Sequence, residues 1–164
     1  MSATLAPDRS RVGIDLVTIS EIADAIRRHG DRYLQRVFTE HELACCQLPG
    51  GVSAASLAGR WAAKEATIKV LRPVGPQPTW TTMEVRRLPS GACAMELSGS
   101  AADLAVRAGI SSLSLSMTHD GDVAAAVVFA LCADSGHPDS STTSHELVRQ
   151  LNPRTPQRKE TPDD

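Results

Sequence analysis

The chain has 164 residues, a formal net charge of −2, 41% hydrophobic and 22% charged residues. That supports one domain with a modest core and gives no electrostatic reason to expect a nucleic-acid partner. No apolar run reaches the roughly 20 residues a bilayer-spanning helix needs, and no charged segment with an apolar follow-on opens the chain, so a cytoplasmic protein without a membrane partner is expected. Only five aromatics, Tyr33, Phe38, Trp61, Trp80 and Phe129, are available. Packing therefore falls to aliphatics and alanine, and so small a core favours further burial by oligomerisation.

Residues 1–10 have no pattern and are expected to be disordered. Arg11-Val12-Gly13-Ile14-Asp15-Leu16-Val17 reads as a short buried strand with a glycine inside it, and Ser20 then opens a helix carrying Ile22, Ala23 and Ile26 on one face. Asp15 is expected to leave the strand just before that helix. An aspartate there is either a turn or cap residue or a functional carboxylate. Helix-like sequence precedes Cys45-Cys46, but the cysteines at 45, 46, 93 and 132 and the histidines at 29, 41, 137 and 145 fit no metal-ligand spacing, so reduced thiols and no zinc are expected.

Ala58-Gly59-Arg60-Trp61-Ala62-Ala63-Lys64-Glu65-Ala66-Thr67-Ile68-Lys69 is an alanine-rich helix, capped by Ser53 or Ser56 and stopped by Pro73. At 3.6 residues per turn Ala58, Ala62, Glu65 and Lys69 share a side, next to the stripe Leu57, Trp61, Ile68 and Leu71. Glu65 then has two readings. One is an exposed i,i+4 pair with Lys69, worth about 0.2–0.5 kcal/mol. The other is a half-desolvated carboxylate beside lysines, in a place where alanines let a second backbone approach, suited to a hard cation and a phosphate.

Trp80 to Leu88 and Ala92 to Leu97 read as paired strands about the turn Pro89-Ser90-Gly91, and the middle of the chain is expected to supply the sheet. Ser98-Gly99-Ser100 caps a helix with Ala101, Leu104, Ala105 and Ala108 on one face, stopped by Gly109. Alternation from Leu113 to Met117, the turn Asp120-Gly121-Asp122 and the β-rich run from Val123 make a hairpin with His119 at its tip, where a histidine is either solvated or functional. From Ala133 the composition cannot bury enough apolar surface to offset ordering entropy, so residues 133–164 read as a mostly disordered tail in which Leu147, Val148 and Leu151 are the only strong hydrophobes.

Taken in order, Gly13-Ile14-Asp15, Val37-Phe38-Thr39 with Glu42, Ala58 to Ala66 with Lys69, and Ser116-Met117-Thr118-His119 resemble the 4′-phosphopantetheinyl transferases of the short holo-acyl-carrier-protein synthase type. The likeness spans about Val12 to Leu131. It implies an α+β fold over residues 11–132, with an antiparallel sheet and a long central helix. It also implies a homotrimer whose nucleotide sites lie between subunits.

The implied reaction moves 4′-phosphopantetheine from coenzyme A to a serine of an acyl or peptidyl carrier protein and releases adenosine 3′,5′-bisphosphate. Asp15 and Glu65 are the implied ligands of a Mg2+ ion that offsets the diphosphate charge. Lys69 would pair a phosphate oxygen, and Glu65 is the implied acceptor of the serine proton, directly or through a water. Arg60 and Lys64, a turn earlier, are available for other coenzyme A phosphates or the acidic partner; His119 would contact a coenzyme A phosphate and Ser116 add a hydroxyl.

Three departures bear on detail. Glu21 stands in the first helix where the family tends to present a base to its carrier, Arg72-Pro73 follows Lys69 where a glycine is usual, and the tail is long. Two other readings share these residues: a non-catalytic module that binds coenzyme A or a nucleotide, and a magnesium-dependent phosphodiesterase that uses water in place of serine. Retention of Asp15, Glu65 and Lys69 favours the transferase over the module, which has no need of a metal pair.

Overall fold

The computed structural model describes residues 9–133. The expectations for the two tails concern residues outside that range, apart from its first two residues and Ala133. In chain order the elements are β1 (Ser10–Thr18), α1 (Ile19–Val37), α2 (Glu40–Cys45), β2 (Gln47–Leu48), β3 (Gly51–Val52), α3 (Ala54–Leu71), a single 3-10 turn (Trp80–Thr82), β4 (Met83–Arg87), β5 (Cys93–Leu97), α4 (Gly99–Arg107), β6 (Ile110–Asp120) and β7 (Val123–Cys132). The fold is α+β, as the sequence implies.

The main sheet is built from the two ends of the described chain rather than from its middle. Its strand order is β1-β7-β6, all antiparallel, and β1 pairs β7 along its whole length from Ser10 opposite Leu131 to Thr18 opposite Val123. The expected middle hairpin does form, but β4 and β5 make a ladder of their own, and the segment starting at Trp80 turns before it extends. Asp15 likewise lies inside β1, three residues before its end, so it is a strand residue and not the start of a turn.

Helix α3 crosses the inner face of this sheet, and the alanines explain how. Ala58, Ala62, Ala63 and Ala66 are completely buried, and short side chains bring the helix axis down onto the strands. Gly13 completes the fit: a Cβ there would collide with the Ala66 carbonyl oxygen. This glycine is required by close backbone approach, and its contact fixes where Glu65 sits above β1. The Ser53 side chain accepts a hydrogen bond from the Ser56 amide to start α3, and Arg72, with φ of 48°, ends it in the left-handed region just before Pro73.

Apolar groups fill two layers. One lies between α3, α4, β4, β5 and the sheet, with Leu71, Met83, Val85, Leu97, Ile110 and Val128 nearly or fully buried; the other lies under α1, with Ile22, Val37, Phe38, Leu57 and Ala124. Among the described residues nothing covers the opposite face of the sheet. Val12, Ile14 and Leu16 of β1 and Val123, Val127, Phe129 and Leu131 of β7 are all exposed there, each at least 39%.

Candidate active site

Alternation along β1 turns Asp15 toward α3, and Glu65 is the helix residue that stands near it. The pair is electrostatically uncomfortable. Burial, and then the negative charge of Asp15, push the Glu65 carboxyl above its ordinary value, while Lys69 pulls the other way. Lys69, one helical turn on, reaches down to β1: its Nζ donates to Asp15 Oδ1 at 2.8 Å and to the Ile14 carbonyl at 2.6 Å. The Lys69 side chain is half exposed and that of Asp15 only 17%, so two carboxylates and an ammonium meet at a cleft open to solvent along the edge strand.

The donor set is all oxygen. Among the described residues no third carboxylate, imidazole or thiol joins these two. Two carboxylates with room for waters and for the oxygens of a bound phosphate match the way Mg2+ is held, since that ion keeps much of its hydration and rarely takes an all-protein cage. A divalent cation there would also relieve the repulsion that raises Glu65. The residues present therefore fit the implied metal.

A second polar feature lies farther across the sheet. A cavity of about 400 Å3 is lined by Ser56 and Arg60 of α3, Arg87 of β4, Cys93 of β5, and Thr118 and His119 of β6, among others. Arg60 is 8% exposed; its Nη1 donates to the Ser56 carbonyl at 3.1 Å and its Nε is buried without a partner. The same side chain also hydrogen-bonds the Cys46 thiol. His119 stands opposite Ala124 and Asp15 opposite Ala126, both across the central strand β7. At sheet spacings their Cα atoms are about 12 Å apart within one chain, so only an extended ligand could touch both.

The hairpin end that carries His119 is anchored rather than loose. Asp122, in the turn, accepts from the Ser20 amide at 2.9 Å and the Ser20 hydroxyl at 2.6 Å, and so caps the start of α1 from a position 102 residues away in sequence.

A family model for the 4′-phosphopantetheinyl transferase superfamily matches residues 11–128. The chain belongs to this superfamily. It is 38% identical over 120 residues to a holo-[acyl-carrier-protein] synthase of Desulforudis audaxviator, covering 73% of this chain and 91% of that one. It is 42% identical over 125 residues to one of Nocardia farcinica, covering 71% and 83%. Among solved structures, Helicobacter pylori holo-[acyl-carrier-protein] synthase in complex with coenzyme A superposes with a TM-score of 0.64 at 30% identity, over 73% of this chain and 99% of that one.

Within this phosphopantetheinyl transferase fold one of the expected contacts is corrected. Lys64 is completely buried and cannot hold a phosphate or meet a partner. Its Nζ lies 2.7 Å from Glu42 Oε2 and donates to the carbonyls of Val37, Trp80 and Met83 at 2.9, 3.0 and 2.6 Å. Glu42 is equally sealed, accepting from the amides of Thr39 and Val85. Desolvation lowers the Lys64 pKa and the Glu42 carboxylate opposes that. The pair therefore ties α2, α3 and β4 together as an internal strut.

Ser116 stands apart from the Arg60–His119 cavity within one chain. It sits opposite Val127 on β6, on the exposed apolar side of the sheet with Ser112 and Ser114, and it is not among the residues that line the cavity. Arg87, by contrast, reaches the cavity although nothing in the sequence around it advertises a role. The usable signal was the hairpin register, which sets Arg87 opposite Cys93 and aims both inward.

Proposed function

We infer that the chain is a holo-[acyl-carrier-protein] synthase, transferring 4′-phosphopantetheine from coenzyme A to a serine hydroxyl of an acyl carrier protein and releasing adenosine 3′,5′-bisphosphate. The observation that carries this reading is the convergence of Asp15, Glu65 and Lys69 on one cleft, in a superfamily whose members include a coenzyme A complex. Asp15 and Glu65 would hold Mg2+, which when bound offsets the charge of the diphosphate under attack.

Each chain group has a task. Lys69, already committed to the Asp15 carboxylate, keeps its remaining proton directed at the cleft, where it pairs with a phosphate oxygen and gains strength as charge builds on the leaving bisphosphate. Glu65 accepts the proton of the incoming serine, directly or across one water. Arg60 and His119 hold a distal phosphate of coenzyme A. Ser116 stands on the bare sheet face and serves the ligand only where a second subunit brings that face to the site.

A homotrimer is part of this reading. The bare face of β1 and β7, with seven large exposed hydrophobics, is the surface that a subunit neighbour would cover. Coenzyme A extended beyond one chain's cleft would then meet Arg60 and His119 of a neighbour. We place the reaction in the cytoplasm, consistent with four free cysteines and with the absence, among the described residues, of a helix long and apolar enough to cross a membrane. The catalytic domain is assigned to residues 11–132.

The test is release of adenosine 3′,5′-bisphosphate from coenzyme A, followed chromatographically with and without apo acyl carrier protein. Release that requires the carrier and stops with EDTA supports the transferase. Release without any carrier would show a phosphodiesterase, and coenzyme A binding with no release under any condition would show a non-catalytic module.

A further inference from the structure

A second cavity, of about 370 Å3, lies at the opposite end of the sheet from His119, where the start of β1 meets the ends of α3 and α4. Its polar lining is Arg11, Arg72 and Arg107, its apolar lining includes Leu71 and Leu104, and none of its lining residues is acidic. Arg11 gives N–H groups to two neutral carbonyls, those of Val70 at 3.1 Å and Ala108 at 3.4 Å. Those bonds fix the guanidinium between α3 and α4 without neutralising it. Arg107 is exposed in the last turn of α4, and Arg72 ends α3. Like charges so gathered favour an anionic occupant.

The chain itself arrives at the rim. The Ala133 amide, at the last described residue, donates to the Gly109 carbonyl at 2.7 Å, next in sequence to Ala108 of the cavity lining. From there residues 134–148 carry Asp134, Asp139 and Glu146 and no lysine or arginine; those resume with Arg149, Arg154, Arg158 and Lys159. The acids match the arginines in sign and number. Leu147, Val148 and Leu151 offer the apolar groups that Leu71, Leu104 and the fully exposed Val74 of the rim lack. Reach is no obstacle, since the chain from Ala133 to Glu146 can extend about 43 Å. A segment too polar to bury a core of its own can still order on a folded surface of opposite charge.

We propose that residues 134–151 dock into the Arg11–Arg72–Arg107 cavity of their own chain, acids against arginines and the leucines against Leu71, Leu104 and Val74, and so tie the end of α3 to α4. The contact is a set of surface ion pairs over a small apolar patch. It is therefore sensitive to salt and is an addition to the fold rather than a condition of it. It involves neither coenzyme A nor a carrier, and it stands whether or not the chain is a transferase.

Limited digestion of the full chain by trypsin under native conditions tests the proposal, because Arg149 lies within the docked segment and Arg158 beyond it. Cleavage of a docked site follows the small fraction of time that it spends released. The reference is the ratio of the two cleavage rates in a synthetic peptide of residues 134–164. Against that ratio, cutting after Arg149 in the full chain at low ionic strength should be slower by about tenfold. The protection should vanish in high salt, in Arg107→Gln, and when Asp134→Asn, Asp139→Asn and Glu146→Gln are combined. The acid substitutions touch no residue of the core, so their effect is not one of misfolding. Equal ratios in the full chain and the peptide overturn the proposal, as does protection that survives both Arg107→Gln and removal of the three acids. Protection that fades on dilution places the segment on another copy of the chain and overturns it as well.

Discussion

Glu65 is held in a state that folding alone does not favour. Its carboxyl is raised above the ordinary value of 4.5 by burial and by Asp15, so the native chain binds that proton more tightly than the unfolded chain does. The associated stabilisation is complete below about pH 4.5 and is lost as pH rises through the folded value. At neutral pH, without a divalent cation, ionised Glu65 therefore costs stability. Glu65→Gln should melt at a higher temperature than wild type at pH 7 in EDTA, with the gain vanishing below pH 4.5, while transfer is abolished. Calorimetry across pH reads the first result and a transfer assay the second; a variant less stable than wild type at pH 7 would mean that Glu65 is a structural ion-pair partner of Lys69.

The two lysines flanking Glu65 in sequence should fail in different ways. Lys64→Ala leaves Glu42 buried and unpaired and should cost about 3–5 kcal/mol of stability, seen as a lowered denaturant midpoint. Lys69→Ala removes a half-exposed cation and should leave that midpoint nearly unchanged, but lower kcat/KM by an amount equivalent to about 2–4 kcal/mol of transition-state stabilisation. Equal effects of the two substitutions on folding would merge roles that the structure separates. Sequence could not separate them: both are lysines on one helix, and what seals Lys64 is a glutamate 22 residues away with three carbonyls from different segments.

Among the elements, α3 was legible as a helix from its alanines, its serine cap and Pro73, because those signals are local. The β4–β5 and β6–β7 hairpins were legible too, from alternation broken by turn residues. The pairing of β1 with β7 was not, since it joins segments more than 100 residues apart and each strand's pattern alone names no partner. The capping of α1 by Asp122 escaped notice for the same reason. Glu21, which reads as a misplaced charge in a carrier-facing helix, is exposed in the first turn of α1, where the helix dipole favours an acid. Gly13 tests the fit between elements: Gly13→Ala should cost about 1–3 kcal/mol by overpacking against Ala66 and, by displacing α3, should reduce transfer more than the stability loss alone explains. A variant with wild-type melting and turnover would mean that the strand–helix contact yields at no cost to the site.

At the scale of the whole molecule, the sheet has one face committed to α3 and one face bare. Val127, at the centre of the bare face between Ile14 and Ser116, is 39% exposed, and Val127→Glu would place a charge on the surface proposed to pack against a neighbouring subunit. Light scattering should find wild type as a trimer and the variant as a monomer, with transfer lost because the cleft and the Arg60–His119 cavity no longer meet. A monomeric wild type with full activity would confine the site to one chain.

The central claim is that the cleft of Asp15, Glu65 and Lys69 drives phosphopantetheine onto a carrier protein. Its most direct measurement is the intact mass of an apo acyl carrier protein after incubation with coenzyme A, Mg2+ and either wild type, Asp15→Asn or Glu65→Gln. The expected result is the full mass gain of one phosphopantetheine on one serine with wild type and none with either variant, even at saturating Mg2+. An unmodified carrier with folded wild type, or a fully modified one with either variant, would contradict the assignment.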